Sequence, residues 1–442
     1  MEILQRLKVS GNRRFLARED GSPFFWLGDT AWELFHKLNR EEAELYLRNR
    51  ADRGFTVIQA VALGELDGLA ARNAYGQVPL RMNEQGKYDP TLPDLPVDGS
   101  YGYWDHVDYI VDLAAKLGIY IGLLPTWGDK FNLHVGKGPV IFDGTNARVY
   151  GAWIADRYKD KSNVIWILGG DRLLLERVHF EVIHSMAAGI RSIVGERQLI
   201  TFHPHGQQSS SVHVHDEEWL DFNMIQSSHF KRDCSNYEWV RQDYNRLPIK
   251  PTLDGEPCYE ENPVGFDPAN GYFDAKDVRQ AAYWSLFAGA FGHTYGHHCV
   301  WSMITDTDAY FHIPWKEAIE RPGAGQMRFV RKLLESRPFF DRVPDQELLV
   351  TNYAGSNHIE ACRGKDYAFA YTPNGLPLRI RMGLLSGSRT SAYWFDPRSG
   401  TSQPIGEFAN EGERTFTPPS KGRNDDWVLI IDDSSSGYAA PS

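Results

Sequence analysis

The sequence contains few cysteines and no long apolar run. Its four cysteines, Cys234, Cys258, Cys299 and Cys362, are spread through 442 residues without a C-x-x-C pair, which argues against a disulfide framework or a zinc ribbon. No segment approaches the roughly 18 apolar residues of a membrane helix, and the opening MEILQRLKVSGNRRF has no signal-peptide core. We therefore expect no membrane partner, and a protein that is cytoplasmic or exported with a signal peptide absent from this sequence.

Basic clusters and nucleotide-binding motifs are also missing. The net charge of −11 would repel a phosphate backbone, and no Lys/Arg-rich run offers a local exception. No G-x-G-x-x-G motif follows the first predicted strand, so a dinucleotide site has no support. We expect neither a nucleic-acid partner nor a cofactor.

Aromatic residues are abundant, at 13% of the chain with 13 tryptophans. Large apolar rings most often fill protein cores. Carbohydrate-binding clefts also use them, because the C–H face of a sugar packs on an aromatic ring while its hydroxyls form hydrogen bonds. The aromatic content is therefore consistent with a carbohydrate as the binding partner.

The first three quarters of the chain alternate short apolar runs with segments of helical periodicity. This alternation predicts βαβ units with a parallel sheet, and eight repeats predict a TIM (β/α)8 barrel, which we assign to residues 1–342. An open doubly wound sheet is the competing fold. The predicted strands are 24–29, 56–63, 119–127, 163–171, 199–205, 222–229, 249–256 and 292–296.

From residue 343 the helical period disappears. Segments such as SAYWFDPRSG and DWVLIIDD alternate strand-forming residues with turns, which predicts a separate antiparallel β-sandwich over residues 343–434. The composition of residues 435–442 predicts a disordered tail.

Polar and aromatic residues follow the predicted strands of the barrel. The active sites of TIM barrels lie at this end of the strands, so these side chains are the candidates for sugar contacts. The predicted set is Asp29, Trp32, Trp127, His203, Gln226, His229 and Tyr295.

Two carboxylates stand out as a catalytic pair. Glycoside hydrolysis needs one protonated and one ionised carboxyl group on either side of the scissile bond. Asp171 follows strand 4 in NVIWILGGD and Glu256 follows strand 7 in PTLDGE, so they face each other across the barrel. Asp171 is assigned as acid/base and Glu256 as nucleophile. The structural alternatives are a helix N-cap for Asp171 and an ion-pair partner for Glu256. Asp254 is the rival of Glu256, because residues i and i+2 share a strand face.

Two other functions remain open at this point. The HPH segment at 203–205 and GHH at 296–298 have histidines at a spacing that could hold a metal, although barrel hydrolases with H-x-H place it on the first strand. A barrel that binds carbohydrate without turning it over is the second alternative.

The motifs FFWLGDTAWELFHKLNREEAELYLRNRADRGFTVIQ, NVIWILGGD, HPHG and PTLDGEPCYE resemble those of the apiosidase-type glycoside hydrolases, glycoside hydrolase family 140 and its relatives. The resemblance implies a retaining enzyme acting on side chains of plant pectin, with Asp171 as acid/base and Glu256 as nucleophile. It also implies that Asp29, His203 and Gln226 contact the sugar. The C-terminal part, with YWFDPRSG, resembles the collagen-binding β-domain that usually follows such barrels.

Overall fold

The computed structural model describes residues 4–441. Eight parallel strands form a nearly closed barrel with the order β5-β4-β3-β2-β1-β8-β7-β6, and a short antiparallel strand, Gln208–Ser209, pairs with β6. The predicted barrel is confirmed. The strands are β1 (Trp26–Thr30), β2 (Val57–Val61), β3 (Tyr120–Leu124), β4 (Val164–Gly169), β5 (Ile200–His203), β6 (Asn223–Gln226), β7 (Thr252–Asp254) and β8 (Gly292–Tyr295).

The barrel closes between β5 and β6 without a regular ladder. The Asp221 N–H donates to Ile200 O over 2.9 Å, and Thr201 Oγ1 donates to Phe222 O over 2.7 Å. The crossover between these strands contains a 3₁₀ turn, Ser210–Val212, where the other units carry longer helices. Local hydrogen bonds therefore complete the wall at this point.

Helices follow the barrel strands, as the segments of helical periodicity predict, and they include helices after β6 and β8. Asn39 and Asp274 cap two of them by accepting hydrogen bonds from backbone N–H groups of the first turn. Within the described residues no helix is both long and apolar enough to span a membrane. The helices are α1 (Leu34–Lys37), α2 (Arg40–Asp52), α3 (Tyr103–Lys116), α4 (Gly144–Tyr158), α5 (Arg177–Val194), α6 (Asn236–Tyr244), α7 (Ala275–Phe287), α8 (Trp315–Ala318) and α9 (Pro322–Glu335).

Two small antiparallel sheets flank the barrel. Strands Leu7–Val9, Leu16–Arg18 and Pro23–Phe24 cover its amino-terminal end, where the rings of Phe24 and Tyr120 lie 5.0 Å apart. The hairpin Leu80–Met82 and Tyr88–Pro93 forms part of the long connection between β2 and α3.

The C-terminal part is all-β, as predicted. Its larger sheet has the order β9-β10-β11-β16-β13-β14, and β12 pairs with β15 in a second sheet. Leu378 and Phe416 of the small sheet share a core with Leu429 of the large one. The strands are β9 (Val343–Pro344), β10 (Glu360–Arg363), β11 (Tyr367–Thr372), β12 (Leu378–Arg381), β13 (Arg389–Asp396), β14 (Thr401–Ala409), β15 (Glu413–Phe416) and β16 (Trp427–Asp433).

The end of the chain packs on this β-domain, in contrast to the predicted disordered tail. Tyr438 Oη donates to Asp366 Oδ2 over 2.7 Å, and its ring lies 4.5 Å from the Arg337 guanidinium. These contacts could not be predicted from the composition of the segment, because they involve residues far away in sequence.

Helix α7 joins the barrel to the β-domain. Tyr283 stacks on Tyr371 with ring centroids 4.8 Å apart. Next to them, Arg279 Nη2 lies 2.7 Å from Asp426 Oδ1, and both side chains are buried. Stacked rings and buried ion pairs together make this a specific contact.

Candidate active site

A cavity of about 270 Å³ opens at the carboxyl ends of the barrel strands. Six of the predicted site residues line it: Trp32, Trp127, Asp171, Gln226, His229 and Glu256. Further aromatic walls come from Phe230, Tyr259, Phe266, Trp301 and Tyr310. The cavity thus combines carboxyl groups with apolar rings.

The two glycines before Asp171 let the chain turn sharply between neighbouring strand ends. Gly169, Gly170 and Asp171 have φ values of 91°, 109° and 53°, a region that glycine adopts freely and aspartate tolerates. A Cβ on Gly169 would lie 2.4 Å from His203 O, and one on Gly170 would lie 2.9 Å from Gly128 N. Positive φ and close backbone contact both require glycine here.

This turn places Asp171 in the cavity and removes the helix-cap interpretation. Helix α5 begins at Arg177, and its N-cap residue is Glu176. The side chain of Asp171 stays 34% exposed, and Arg172 Nη1 lies 3.1 Å from its Oδ2. The Arg172 guanidinium also donates to the backbone oxygens of Asp171 and Val135, so its donors are shared.

Glu256 follows a glycine that packs against the adjacent strand. A Cβ on Gly255 would lie 2.6 Å from Met224 Cγ, and Gln59 Nε2 donates to Gly255 O over 3.0 Å. Asp254 is held away from the cavity, because Ser227 Oγ and Asn236 Nδ2 donate to its Oδ2 over 2.9 and 2.8 Å. Glu256, and not Asp254, therefore reaches the cavity.

Two histidines contact the Glu256 carboxyl. His203 Nε2 lies 2.8 Å from Oε2, and His229 Nε2 lies 3.3 Å from Oε1. The other nitrogen of each ring accepts a backbone N–H: Asp171 N–H donates to His203 Nδ1 and Tyr259 N–H to His229 Nδ1, both over 3.3 Å. Because Nδ1 accepts in both rings, each neutral imidazole carries its proton on Nε2, facing Glu256.

The two carboxyl groups are shifted in opposite directions. Burial would raise the pKa of Glu256, but its contacts with the His203 and His229 imidazoles lower that pKa to about 2. Burial, and then the negative charge of Glu256, raise the pKa of Asp171, while Arg172 opposes this shift. One group is thus kept ionised and the other is favoured in its protonated form, as acid/base pairs require.

The tryptophans form one wall beside His203. The rings of Trp32 and Trp127 lie 5.1 Å apart, and their centroids are 5.5 and 5.9 Å from that of His203. Among the described residues, Trp127 Nε1 and Gln226 Oε1 are buried without a hydrogen-bond partner. Both residues also line the cavity, which is consistent with their predicted contact to a ligand.

Three of the residues predicted to contact the sugar do not line the cavity: His203, whose buried side chain lies against Glu256, and Asp29 and Tyr295. Asp29 accepts hydrogen bonds from Tyr46 Oη over 2.6 Å and from Arg50 on helix α2, and Tyr295 Oη donates to Glu260 Oε2. Strand register pairs Asp29 with Tyr295, so both leave the sheet on its outer face. The sequence could place them at strand ends but could not show which face they occupy.

The histidines of the predicted metal motifs contact different neighbouring residues. His203 contacts Asp171 and Glu256, as above, whereas His297 Nε2 lies 3.3 Å from Glu261 Oε2. Within residues 4–441, no group of three or more His, Cys, Asp or Glu side chains has an arrangement that could hold a metal ion.

The sequence analysis missed several cavity residues, among them Glu65, Tyr259, Asn262 and Tyr310. Glu65 follows β2 in VALGELDG, so the rule that selected Asp171, a carboxyl group just past a strand end, would have found it. Tyr310 comes from a loop far from any strand and gives no such signal.

A barrel with two oppositely tuned carboxyl groups in an aromatic cavity is the arrangement expected of a glycoside hydrolase. The family model "Apiosidase-like, catalytic domain" matches residues 10–341, and the model "Putative collagen-binding domain of a collagenase" matches residues 343–432. The chain belongs to the apiosidase-like family.

Solved structures agree with this assignment. A glycoside hydrolase family 5 protein from Bacteroides vulgatus is 37% identical, with a TM-score of 0.90 over 98% of this chain and 94% of that one. A second structure, described as a glycoside hydrolase, is 36% identical with a TM-score of 0.88 over 98% of each chain. A β-L-arabinopyranosidase from Geobacillus stearothermophilus shares the fold alone. It is 12% identical, with a TM-score of 0.53 over 94% of this chain and 97% of that one. No curated protein matches the sequence.

Proposed function

We propose that this glycoside hydrolase is a retaining enzyme that removes a small terminal sugar from a plant-type glycoside, as an apiosidase does. The observation that carries the proposal is the Glu256 carboxylate, whose oxygens lie 2.8 Å from His203 Nε2 and 3.3 Å from His229 Nε2 in the same cavity as Asp171. An ionised carboxylate held in place in this way is suited to attack an anomeric carbon.

In the proposed reaction, Asp171 donates its proton to the glycosidic oxygen as Glu256 attacks the anomeric carbon. The bond to the leaving group breaks, and a glycosyl ester forms on Glu256. Asp171, now ionised, removes a proton from water, which attacks the same carbon and releases Glu256. The pKa of Asp171 then rises as the Glu256 charge returns, which restores the acid for the next cycle.

The cavity supports a single neutral glycone as the substrate unit. Its volume of about 270 Å³ lies at the low end of ligand pockets, and seven of its lining side chains are aromatic. The ionised carboxylate of Glu256 lines it and would repel the charge of a uronic acid. A neutral pentose such as apiose, or a deoxyhexose, fits these conditions.

The test is a panel of aryl glycosides carrying apiosyl, arabinofuranosyl, xylosyl, rhamnosyl and galactosyl groups. We expect hydrolysis of at least one pentoside, with proton NMR showing that the first anomer released keeps the configuration of the substrate. An activated 2-deoxy-2-fluoro glycoside of that sugar should label Glu256, as detected by peptide mass spectrometry.

Inversion of the anomeric configuration would contradict the retaining mechanism. Binding of sugars without hydrolysis of any glycoside would indicate a carbohydrate-binding barrel. In that case Asp171→Asn and Glu256→Gln would leave sugar affinity nearly unchanged.

A further inference from the structure

A third carboxyl group, that of Glu65, lines the cavity and has no role in the proposed proton transfers. It lies just beyond β2 in a tight turn, where the Gly68 N–H donates to Glu65 O over 3.0 Å. The Trp127 N–H donates to Leu63 O over 3.0 Å, and Lys130 Nζ donates to Leu66 O over 3.3 Å. The backbone on both sides of Glu65 is therefore fixed by the β3 connection.

Several acidic groups surround this carboxyl group, and the cations Arg172 and Lys130 have other partners. Arg172 divides its donors among Asp171 and two backbone oxygens, and Lys130 Nζ lies 2.8 and 2.9 Å from the two oxygens of Asp129. Among the described residues, no side chain forms an ion pair or hydrogen bond with the Glu65 carboxyl. The ionisable groups packed around its turn are Glu33, His36, Asp129, Lys130, Asp171 and Arg172.

We propose that Glu65 holds the glycone as a neutral carboxylic acid, donating its O–H to one hydroxyl of the sugar and accepting from another. This inference rests on the proposed function, because it places the sugar in the same cavity. Burial, and then the charge of Glu33, raise the pKa of Glu65 to about 8, so the acid form is present at neutral pH. A protonated carboxyl group presents a donor and an acceptor side by side, which matches two adjacent hydroxyls.

The neutral form also agrees with the charges around it. Were Glu65 ionised, it would add a negative charge beside Glu33 and Asp171 with no cation of its own. It would also favour the proton on Asp171 more strongly and slow its transfer to the leaving group. The sugar therefore gains most from Glu65 below about pH 8, and this contact weakens as pH rises through that value.

The experiment measures sugar binding by calorimetry between pH 6 and 9.5 in a Glu256→Gln background, which removes turnover. The probes are D-apiose, L-arabinose, D-xylose, L-rhamnose and D-galactose. With Glu65 present, we expect Kd to be flat below pH 7 and to rise by up to about tenfold per pH unit above 8, the limit for loss of one proton. Glu65→Gln keeps a donor and an acceptor at all pH values, so its Kd should not rise over this range.

Two further variants complete the design. Glu65→Ala should weaken binding about tenfold at pH 7, which corresponds to the loss of one or two hydrogen bonds. Glu84→Gln, at an exposed position of the rim hairpin, is the matched control and should retain the parental pH profile.

Each unfavourable result identifies what has failed. An alkaline rise in Kd that persists in Glu65→Gln, or an unchanged Kd in Glu65→Ala, would overturn the role of Glu65. Loss of kcat confined to poor leaving groups in Glu65→Gln, with Asp171→Asn unaffected, would make Glu65 the general acid and overturn this proposal. Sugar binding with the expected pH profile, but no hydrolysis by the wild-type protein, would overturn only the proposed function.

Discussion

Carboxyl groups at the cavity and at the barrel–sandwich interface have opposite kinds of partner. At the interface, Arg279 donates to both oxygens of Asp426 over 3.0 and 2.7 Å. Arg337 does the same to Asp432 over 2.9 and 2.7 Å. In the cavity, by contrast, the carboxyl of Glu256 contacts imidazoles. Asp171, the proposed proton donor, has one Arg172 nitrogen at 3.1 Å. A bidentate guanidinium would stabilise the charged form of Asp171 more strongly and oppose proton donation.

The backbone differs between the two regions as well. Asp171, Ser228 and Phe266 line the cavity with φ values of 53°, 71° and 63°, whereas the interface arginine Arg279 sits on the regular helix α7. Left-handed backbone at residues other than glycine costs free energy. Backbone strain and carboxyl groups without a bidentate arginine partner thus lie at the cavity. Carboxylates paired with arginines lie where the two domains contact each other.

The largest expected effect is that of Glu256→Gln, which removes the proposed nucleophile while keeping the shape. We expect kcat on the best aryl glycoside to fall by more than about 10⁴-fold, as for other catalytic nucleophiles. Glu84→Gln is the control and should keep its kcat. A fall of less than tenfold for Glu256→Gln would show that the paired imidazoles serve the fold alone.

Asp171→Asn should have the next largest effect, and its size should depend on the leaving group. General acid catalysis contributes about 10²- to 10⁴-fold, so glycosides with poor leaving groups should lose kcat/KM by this factor. Dinitrophenyl glycosides, which need no protonation to leave, should lose far less. A leaving-group plot for both proteins checks this, and equal losses across the series would contradict the acid role.

At the interface, Arg279→Met should destabilise the protein without affecting the chemistry. Removing one partner leaves Asp426 buried and uncompensated, which costs about 3–5 kcal/mol. The readout is the free energy of unfolding in urea, together with kcat per folded molecule.

The double variant Arg279→Met with Asp426→Leu is the matched control. Replacing both charges by apolar side chains should recover most of the lost stability. If the single variant were as stable as the wild type, the contrast between matched and unmatched charges would not hold.

Much of this architecture could be predicted from the sequence, because strands and turns leave local signals. Apolar runs located the eight barrel strands, and the glycines before Asp171 and Glu256 marked the strand ends. The face of a strand is harder to predict. Asp29 and Tyr295 were predicted in the cavity and lie outside the barrel, in contact with Arg50 and Glu260.

Contacts between distant segments were beyond the reach of the sequence. Nothing local to His229 shows that Tyr259 N–H fixes its tautomer, since the two residues are brought together only by closure of the barrel. The same holds for Tyr310, which reaches the cavity from a loop. Glu65 is different, because its position just after β2 is a local signal of the same kind as that of Asp171.

The smallest effect is predicted for His229→Leu, which should move the acidic limb of the pH profile. The folded-state pKa of Glu256, about 2, is below its ordinary value of 4.5. The ionised carboxylate therefore stabilises the folded enzyme above pH 4.5, and this stabilisation is lost as pH falls toward 2. Removing one donor leaves burial, which raises the pKa. The acidic limb of kcat/KM should therefore shift upward by about one pH unit.

His229→Gln is the control for this shift, because its side-chain amide keeps a donor for Glu256. Its acidic limb should stay closer to that of the wild type than the limb of His229→Leu. The alkaline limb depends on Asp171 and Glu65, neither of which is altered, so it should move little in either variant. An acidic limb that stays in place in His229→Leu would show that His203, whose Nε2 is closer to the carboxyl at 2.8 Å, is sufficient to keep Glu256 ionised.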